Sequence, residues 1–181
     1  MPCSRMTNRR LDEGARGEHE SVVLAQTLYL DTSVIGGFHD TEFLRDTRAL
    51  WRLMERGAYR FCTSRVAMNE LRGAPLVVRQ LAARTFADAA SVLDVSPEAF
   101  ALSRAYLAAG VVPAKFADDA AHVAVATCAG IGIIVSWNFK HLASLYRNER
   151  FNAVNVLPGR PAIRIVTPSV LLNPDEDIEE S

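Results

Sequence analysis

Leu28-Tyr29-Leu30-Asp31-Thr32-Ser33 is the stretch of this chain that decides the fold. Its first residues, with Thr27, form a short apolar run that is typical of a strand buried on both faces. Asp31 ends this run, and Thr32 and Ser33 open the next turn. A carboxylate at the carboxyl end of such a strand lies where open α/β sheets place their active sites. The alternative is that Asp31 only caps the helix that follows.

Similar apolar runs predict further strands, and amphipathic or apolar segments between them predict helices. The predicted strands are 27–31, 59–63, 91–95, 133–136 and 162–166. The predicted helices are 41–57, 65–72, 76–90, 96–110 and 117–129, and the chain between the last two strands is predicted as irregular or helical. Strands that alternate with helices predict an α/β protein of three layers, α/β/α, with a central and mostly parallel sheet of about five strands.

The length of 181 residues suits one domain with tails. Residues 1–26 are polar and lack periodicity, which predicts a mobile N-terminal extension. Residues 27–172 form the predicted domain, and residues 173–181 form an acidic C-terminal tail. The formal net charge is −1, but the segment without the two tails is mildly basic and rich in Arg, which reflects either genome composition or a phosphate-bearing partner.

The cysteine pattern and the hydropathy limit the cellular setting. The 3 cysteines are widely spaced and none forms a C-x-x-C pair, which is typical of reduced, cytoplasmic proteins. The N-terminus has no apolar stretch like a signal peptide. The one uncharged run near membrane length, residues 120–137, has the pattern of a helix, a turn and a strand, so we expect no membrane association.

Further oxygen ligands follow the later elements. Glu70 lies late in the predicted helix 65–72, and Asp118 and Asp119 open the predicted helix 117–129. Each has an ordinary alternative, since a helix glutamate is usually solvated and an acid in a first helical turn is favoured by the helix dipole. The apolar neighbours of Asp119 nevertheless indicate that an inward-facing acid there would need a cation to offset its burial.

Two more groups of polar residues complete the candidate site. Ser136 and Asn138 end the fourth predicted strand, and the carbonyl oxygen of Asn138 suits Mg²⁺ or Mn²⁺. His122 shares a helix face with Asp119 and is either a supporting residue or a packing histidine. Candidate phosphate contacts, with solvated surface residues as the alternative, are Lys140 and His141.

Four segments in this order resemble the PIN-domain nucleases, and most closely the VapC-like branch, the toxins of bacterial toxin–antitoxin pairs. The segments are Leu-Asp-Thr-Ser-Val-Ile (30–35), Asn-Glu-Leu (69–71), Asp-Ala-Ala-His-Val-Ala (119–124) and Ser-Trp-Asn-Phe-Lys-His-Leu (136–142). The resemblance spans about residues 27–168 and implies a PIN-like fold. It also implies that Asp31, Glu70 and Asp119 are catalytic metal ligands.

The resemblance extends to the remaining site positions with one departure. The fourth acidic position of the family, often Asp, falls on Asn138, which also serves as a predicted ligand. The residues predicted to support the site are Ser33, Ser136, Asp118 and His122. The implied activity is hydrolysis of RNA phosphodiester bonds with Mg²⁺ or Mn²⁺, by the toxin of a type II toxin–antitoxin pair. The implied partners are an RNA substrate, a small cognate antitoxin protein and a second copy of the chain.

Two other functions remain open. The first is a PIN-like module with a weakened site that binds RNA or protein, which Asn138 favours. The second, a phosphohydrolase of the haloacid dehalogenase type, is disfavoured because that family needs an Asp where this chain has Ser33. We expect the apolar helices, particularly 41–57, to dock the small protein or the second copy.

Overall fold

The computed structural model describes residues 25–138 and 142–172, which form three layers with a sheet between two layers of helices. All 5 strands are parallel, in the order β3-β2-β1-β4-β5. They are β1 (Gln26–Leu30), β2 (Tyr59–Ser64), β3 (Val92–Leu93), β4 (Ile133–Val135) and β5 (Arg164–Val166). The predicted α/β fold class and sheet are therefore confirmed.

The helices divide between the two faces of the sheet, as their buried side chains show. One face is covered by α1 (Thr32–Gly37), α2 (Leu44–Glu55) and α4 (Leu76–Thr85). The other is covered by α5 (Pro97–Ala108), α6 (Ala117–Cys128) and α7 (Leu145–Val156). The short helix α3 (Arg65–Glu70) directly follows β2. Each face has its own apolar core, so the strands must be apolar on both sides.

Strand β1 lies at the centre of the sheet and contributes to both cores. Leu28 and Leu30 pack with α1, α2 and α4, whereas Tyr29 packs with α5, α6 and α7, because successive strand residues point to opposite faces. The strand order reverses between β1 and β4, which makes their carboxyl ends the switch point of the sheet. There Leu30 is paired with Val135, and the backbone N–H of Asp31 donates to the carbonyl oxygen of Val135 at 3.1 Å.

The structure corrects several predicted boundaries. The segment after Asp31, predicted as a turn, is the short helix α1. Helix α4 ends at Thr85 rather than at residue 90, and a separate 3₁₀ turn spans Ala89–Ser91. Helix α2 begins at Leu44, a few residues later than predicted. These ends differ because short helical turns depend on local hydrogen bonds that an apolar pattern does not reveal.

The predicted N-terminal extension, apart from residues 25 and 26, and the predicted acidic tail lie outside the described residues. Gln26 was assigned to the extension but is the first residue of β1. In the part of the chain that the structure describes, every helix is too short or too polar to cross a membrane.

Helix α1 lies so close to Trp137 that its last residue must be glycine. A Cβ atom at Gly37 would lie 2.9 Å from Cδ1 and Nε1 of the indole and 3.1 Å from the hydroxyl oxygen of Thr47. The Trp137 indole itself donates to that hydroxyl at 2.9 Å. An added methyl group would therefore push apart α1, α2 and the end of β4.

We predict that Gly37→Ala lowers the free energy of unfolding by about 1–3 kcal/mol because of this overpacking. Urea denaturation monitored by circular dichroism measures the effect. Gly36→Ala is the matched control, since a Cβ atom there meets nothing within 4 Å. Equal stabilities of the two variants would contradict the prediction.

Candidate active site

Asp31 lies at the switch point of the sheet, between the ends of β1 and β4, and is 5% exposed. Its carboxylate has two roles. Oδ1 accepts from the backbone N–H of Ser33 and so caps α1, which is the alternative that the sequence left open. Oδ2 accepts from the hydroxyl of Ser136, which is fully buried. Asp31 is therefore both a helix cap and an acid held by β4, and the capping interpretation does not exclude a site.

The two predicted serines hold the backbone at the edge of the site. The Ser33 hydroxyl accepts from the backbone N–H of Trp137 at 2.9 Å, and the Ser136 hydroxyl accepts from that of Asn138 at 2.9 Å. Ser136 thus connects Asn138 to Asp31. Both serines fix α1 against the turn that follows β4.

Glu70, the last residue of α3, reaches the same edge from β2. Its Oε2 accepts from the hydroxyl of Thr32, and it lies 3.2 Å from Nε2 of His122. Burial alone would raise the pKa of Glu70, but the hydrogen bond and charge of His122, with the bond from Thr32, lower it below its usual value. The structure thus places the imidazole of His122 within hydrogen-bond distance of the Glu70 carboxylate.

His122 lies in α6 and is 2% exposed. Burial would lower its pKa, but the hydrogen bond to Glu70 and the negative charges of Asp31, Glu70 and Asp119 raise it. Nδ1 lies 2.7 Å from the hydroxyl oxygen of Tyr29. Both ring nitrogens of His122 therefore have partners within the protein.

Asp119 is half-buried in the first turn of α6. Burial is the largest cause that raises its pKa to about 6. The negative charge of Asp31 adds to the rise, and those of Glu70 and Asp118 add less, whereas His122 opposes it. The charges of the other acids therefore act on Asp119. Asp118 is exposed and lies at the margin of the site.

Asn138 faces Asp119 across the site. Its side-chain Nδ2 lies 3.4 Å from both carboxylate oxygens of Asp119. The amide thus presents its positive end to that acid. Lys140 and His141, the predicted phosphate contacts, lie outside the described residues.

The donor chemistry of the site bears on whether it could hold a cation. Among the described residues, no Lys or Arg side chain forms an ion pair with Asp31, Glu70 or Asp119. Also within residues 25–138 and 142–172, no group of three or more His, Cys, Asp and Glu side chains is arranged to hold a metal ion. Mg²⁺ keeps several of its waters and is usually bound through one or two carboxylates. An ion bound in that way needs no closed protein cage.

Three residues next to the site were not predicted from the sequence. Tyr29 contacts His122, Ser64 contacts Tyr29, and Thr32 contacts Glu70. Tyr29 carries the one signal that could have revealed this. A tyrosine in a strand buried on both faces needs a partner for its hydroxyl, and that need predicts a polar group in the core nearby.

Comparisons with known proteins find likenesses among solved structures. No family model matches the chain, and no curated protein matches it. Among solved structures, a chain of the crystal structure of VapBC2 from Rickettsia felis bound to a DNA fragment from their promoter is similar, with a TM-score of 0.46 and 13% sequence identity. The match covers 78% of this chain and 98% of that chain.

We predict that Asp119→Asn stabilises the metal-free protein at pH 7.5. With a folded-state pKa of about 6 against 3.8 in a model compound, the folded protein binds a proton more tightly than the unfolded chain. Stability therefore falls as the pH rises from about 4 to 6, and the ionised carboxylate is unfavourable above that window. After allowance for solvent exposure, the gain is about 1–2 kcal/mol.

Urea denaturation at pH 7.5 and pH 5, in the presence of a chelator, measures this gain. It should shrink at pH 5, and Asp118→Asn should produce a smaller change at both values. A gain for Asp119→Asn that is the same at both pH values would contradict the electrostatic explanation.

Proposed function

We propose that this chain is an endoribonuclease that hydrolyses RNA phosphodiester bonds with the help of Mg²⁺ or Mn²⁺. The observation that carries the proposal is the proximity of Asp31 and Glu70 to Asp119 at the carboxyl edge of the sheet, where the charges of the first two act on the third. Burial is the largest cause that raises the pKa of Asp119, and the negative charges of Asp31 and Glu70 raise it further. Excess negative charge at a sheet edge that binds ligands favours a divalent cation.

The residues of the chain would divide the work at this edge. Asp31 and Asp119, with Glu70 and Asn138, would hold the ion, which activates water and neutralises charge on the phosphate. The Ser136 hydroxyl and the Ser33 backbone N–H orient the Asp31 carboxylate. A carboxylate fixed before the substrate arrives costs no reorganisation during the reaction.

RNA is the proposed substrate because the acids lie at an open sheet edge rather than in a deep pocket, so a single-stranded or looped backbone reaches them more easily than a duplex. The resemblance in four segments supports the narrower proposal that the chain is a VapC-like toxin of a type II toxin–antitoxin pair. Such a toxin would act in the cytoplasm.

The second candidate is a PIN-like module that binds RNA or protein without cutting. Asn138 favours it, because an amide stands where the family often has a fourth acid and its Nδ2 lies near Asp119. A weaker negative field there would bind a cation less tightly.

A surface cavity beside the site fits the proposed protein partner. It has a volume of about 650 Å³ and adjoins Thr32, Ser33 and Asn138. Its apolar wall is formed by Phe43, Leu71, Ala74, Pro75, Val77, Val78 and Trp137. We propose that a small cognate antitoxin protein inserts apolar side chains here, which would also cover the approach to the acids.

The segment 41–57, expected to dock a partner, contributes Phe43 to the cavity. Leu50 and Trp51 of α2 are buried in the core of the chain and cannot face a partner. The exposed apolar side chains near the cavity belong to α4, where Leu76 is 60% and Val77 is 49% exposed. A second copy of the chain is the other partner proposed to cover the exposed apolar side chains.

We predict that the purified protein cleaves single-stranded RNA with Mg²⁺ or Mn²⁺ and not with a chelator. Asp31→Asn, Glu70→Gln and Asp119→Asn should each lower kcat/KM by at least about 100-fold, because each removes charge from the reacting site. Gel assays on a panel of cellular RNAs measure the cleavage. Glu98→Gln is the control, since that carboxylate pairs with Arg160 away from the site.

RNA that is bound but remains uncut with either ion would support the binding module and overturn the hydrolase. Equal losses in Glu98→Gln and in the three site variants would show that the effect is not local to the acids.

We predict that Val77→Asp prevents the complex with the product of an adjacent short reading frame, because it places a charge on the apolar wall of the cavity. Size-exclusion chromatography with light scattering of the co-expressed proteins measures the complex. Leu145→Asp is the control, since Leu145 is 77% exposed and does not line the cavity. A complex that survives Val77→Asp would place the partner elsewhere.

A further inference from the structure

A continuous line of hydrogen bonds runs from the protein core to Glu70. The Tyr29 hydroxyl oxygen lies 2.6 Å from the hydroxyl oxygen of Ser64 and 2.7 Å from Nδ1 of His122. Nε2 of His122 lies 3.2 Å from Oε2 of Glu70. Tyr29 and Ser64 are 0% exposed and His122 is 2% exposed, so water cannot replace these partners. The carboxylate of Glu70 is therefore held from behind by groups that never reach the surface.

The carboxylate at the end fixes the direction of the last of these hydrogen bonds. An ionised Glu70 only accepts, so Nε2 of His122 carries a hydrogen and donates. In the neutral ring Nδ1 accepts from the Tyr29 hydroxyl, which accepts from Ser64, and in the protonated ring both of these bonds reverse. Tyr29 thus pairs with Nδ1 in either state of the ring, and in the neutral state it favours the tautomer of His122 that donates to Glu70.

The contact between Ser64 and Tyr29 takes the place of a helix-capping hydrogen bond. It occupies the N-cap position of α3, where a serine hydroxyl usually accepts from a backbone N–H of the first turn. Here the hydroxyl makes no such cap and contacts Tyr29 instead. Helix α3, which ends at Glu70, therefore forgoes a capping bond in favour of the contact to Tyr29.

We propose that Tyr29, with Ser64, is a positioning residue that acts through His122 to hold Glu70 in its place at the acidic edge. The proposal rests on the proposed function in assigning a catalytic role to Glu70. An ordinary buried tyrosine offers the comparison. Tyr106 is also 0% exposed and packs in the same core, but its hydroxyl donates to Asn155 at 2.6 Å, away from the acids.

The experiment compares Tyr29→Phe with Tyr106→Phe, each of which removes one buried hydroxyl from the full chain. Mn²⁺ affinity without RNA is measured by calorimetry, and RNA cleavage is measured with Mn²⁺. Tyr29→Phe should weaken Mn²⁺ binding or lower kcat by about 10-fold or more, as expected when the partner of a supporting histidine is lost. Tyr106→Phe should leave both within about 2-fold of wild type at matched folded fractions.

A spectroscopic readout tests the positioning separately from activity. In wild type, ¹⁵N NMR of His122 at a pH where the ring is neutral should show hydrogen on Nε2 and none on Nδ1. Tyr29→Phe should shift these resonances and the ¹³Cδ resonance of Glu70, and Tyr106→Phe should not. Ser64→Ala, a milder change to the same line, should shift them in the same direction and serves if Tyr29→Phe does not fold.

Failure of the proposed function and failure of the positioning role give different results. Wild type that neither binds Mn²⁺ nor cuts RNA overturns the proposed function, and the NMR comparison then decides the positioning role alone. Unchanged His122 and Glu70 resonances in Tyr29→Phe, or equal effects of Tyr29→Phe and Tyr106→Phe, overturn the positioning role even if the protein is an active nuclease.

Discussion

The site depends on the position of one carboxylate, Asp31, at the end of a strand that is buried on both faces. The three residues that precede it in β1 fill both cores, since Leu28 and Leu30 pack in one and Tyr29 packs in the other. The ladder to β4 then brings Ser136 beside Asp31, and α1 begins directly after it. The helix cap, the strand ladder and the carboxylate thus share one point, so the acid cannot move without loss of local structure.

How much of the fold and of the candidate site could be predicted depended on how far apart in the sequence the contacting residues lie. Asp31 could be predicted because an apolar run ends abruptly in an acid. Glu70 and Asp119 could be named as candidates, but their own helices also explain them, and only the tertiary fold brings them together. Tyr29 contacts Ser64 and His122, which follow it in the chain by 35 and 93 positions, so these contacts leave no local sequence pattern. Helix α1 was suggested only by the possible cap at Asp31, because its short length shows no helical period.

The acidic edge is a compromise between stability and ligand binding. Burial and, to a lesser extent, the nearby negative charge of Asp31 raise the pKa of Asp119 and disfavour its ionised form. A chain selected for stability alone would place a neutral side chain there. Glu70 differs from Asp119 in this respect. Burial would raise its pKa, but His122 offsets its charge and lowers the pKa. The repulsion is therefore concentrated on the side of Asp31 and Asp119, where a cation would relieve it.

The donors around the acids preserve that field. Hydroxyls and backbone N–H groups orient Asp31, and Thr32 orients Glu70, without adding a positive charge. Arginine in these places would orient the acids equally well but would neutralise them. Asn138 belongs with the hydroxyls in this respect, because its amide faces Asp119 as a dipole and neither repels nor neutralises that acid as a charged residue would. An amide at this position is thus compatible with a site that orients its carboxylates and leaves their charge for a ligand.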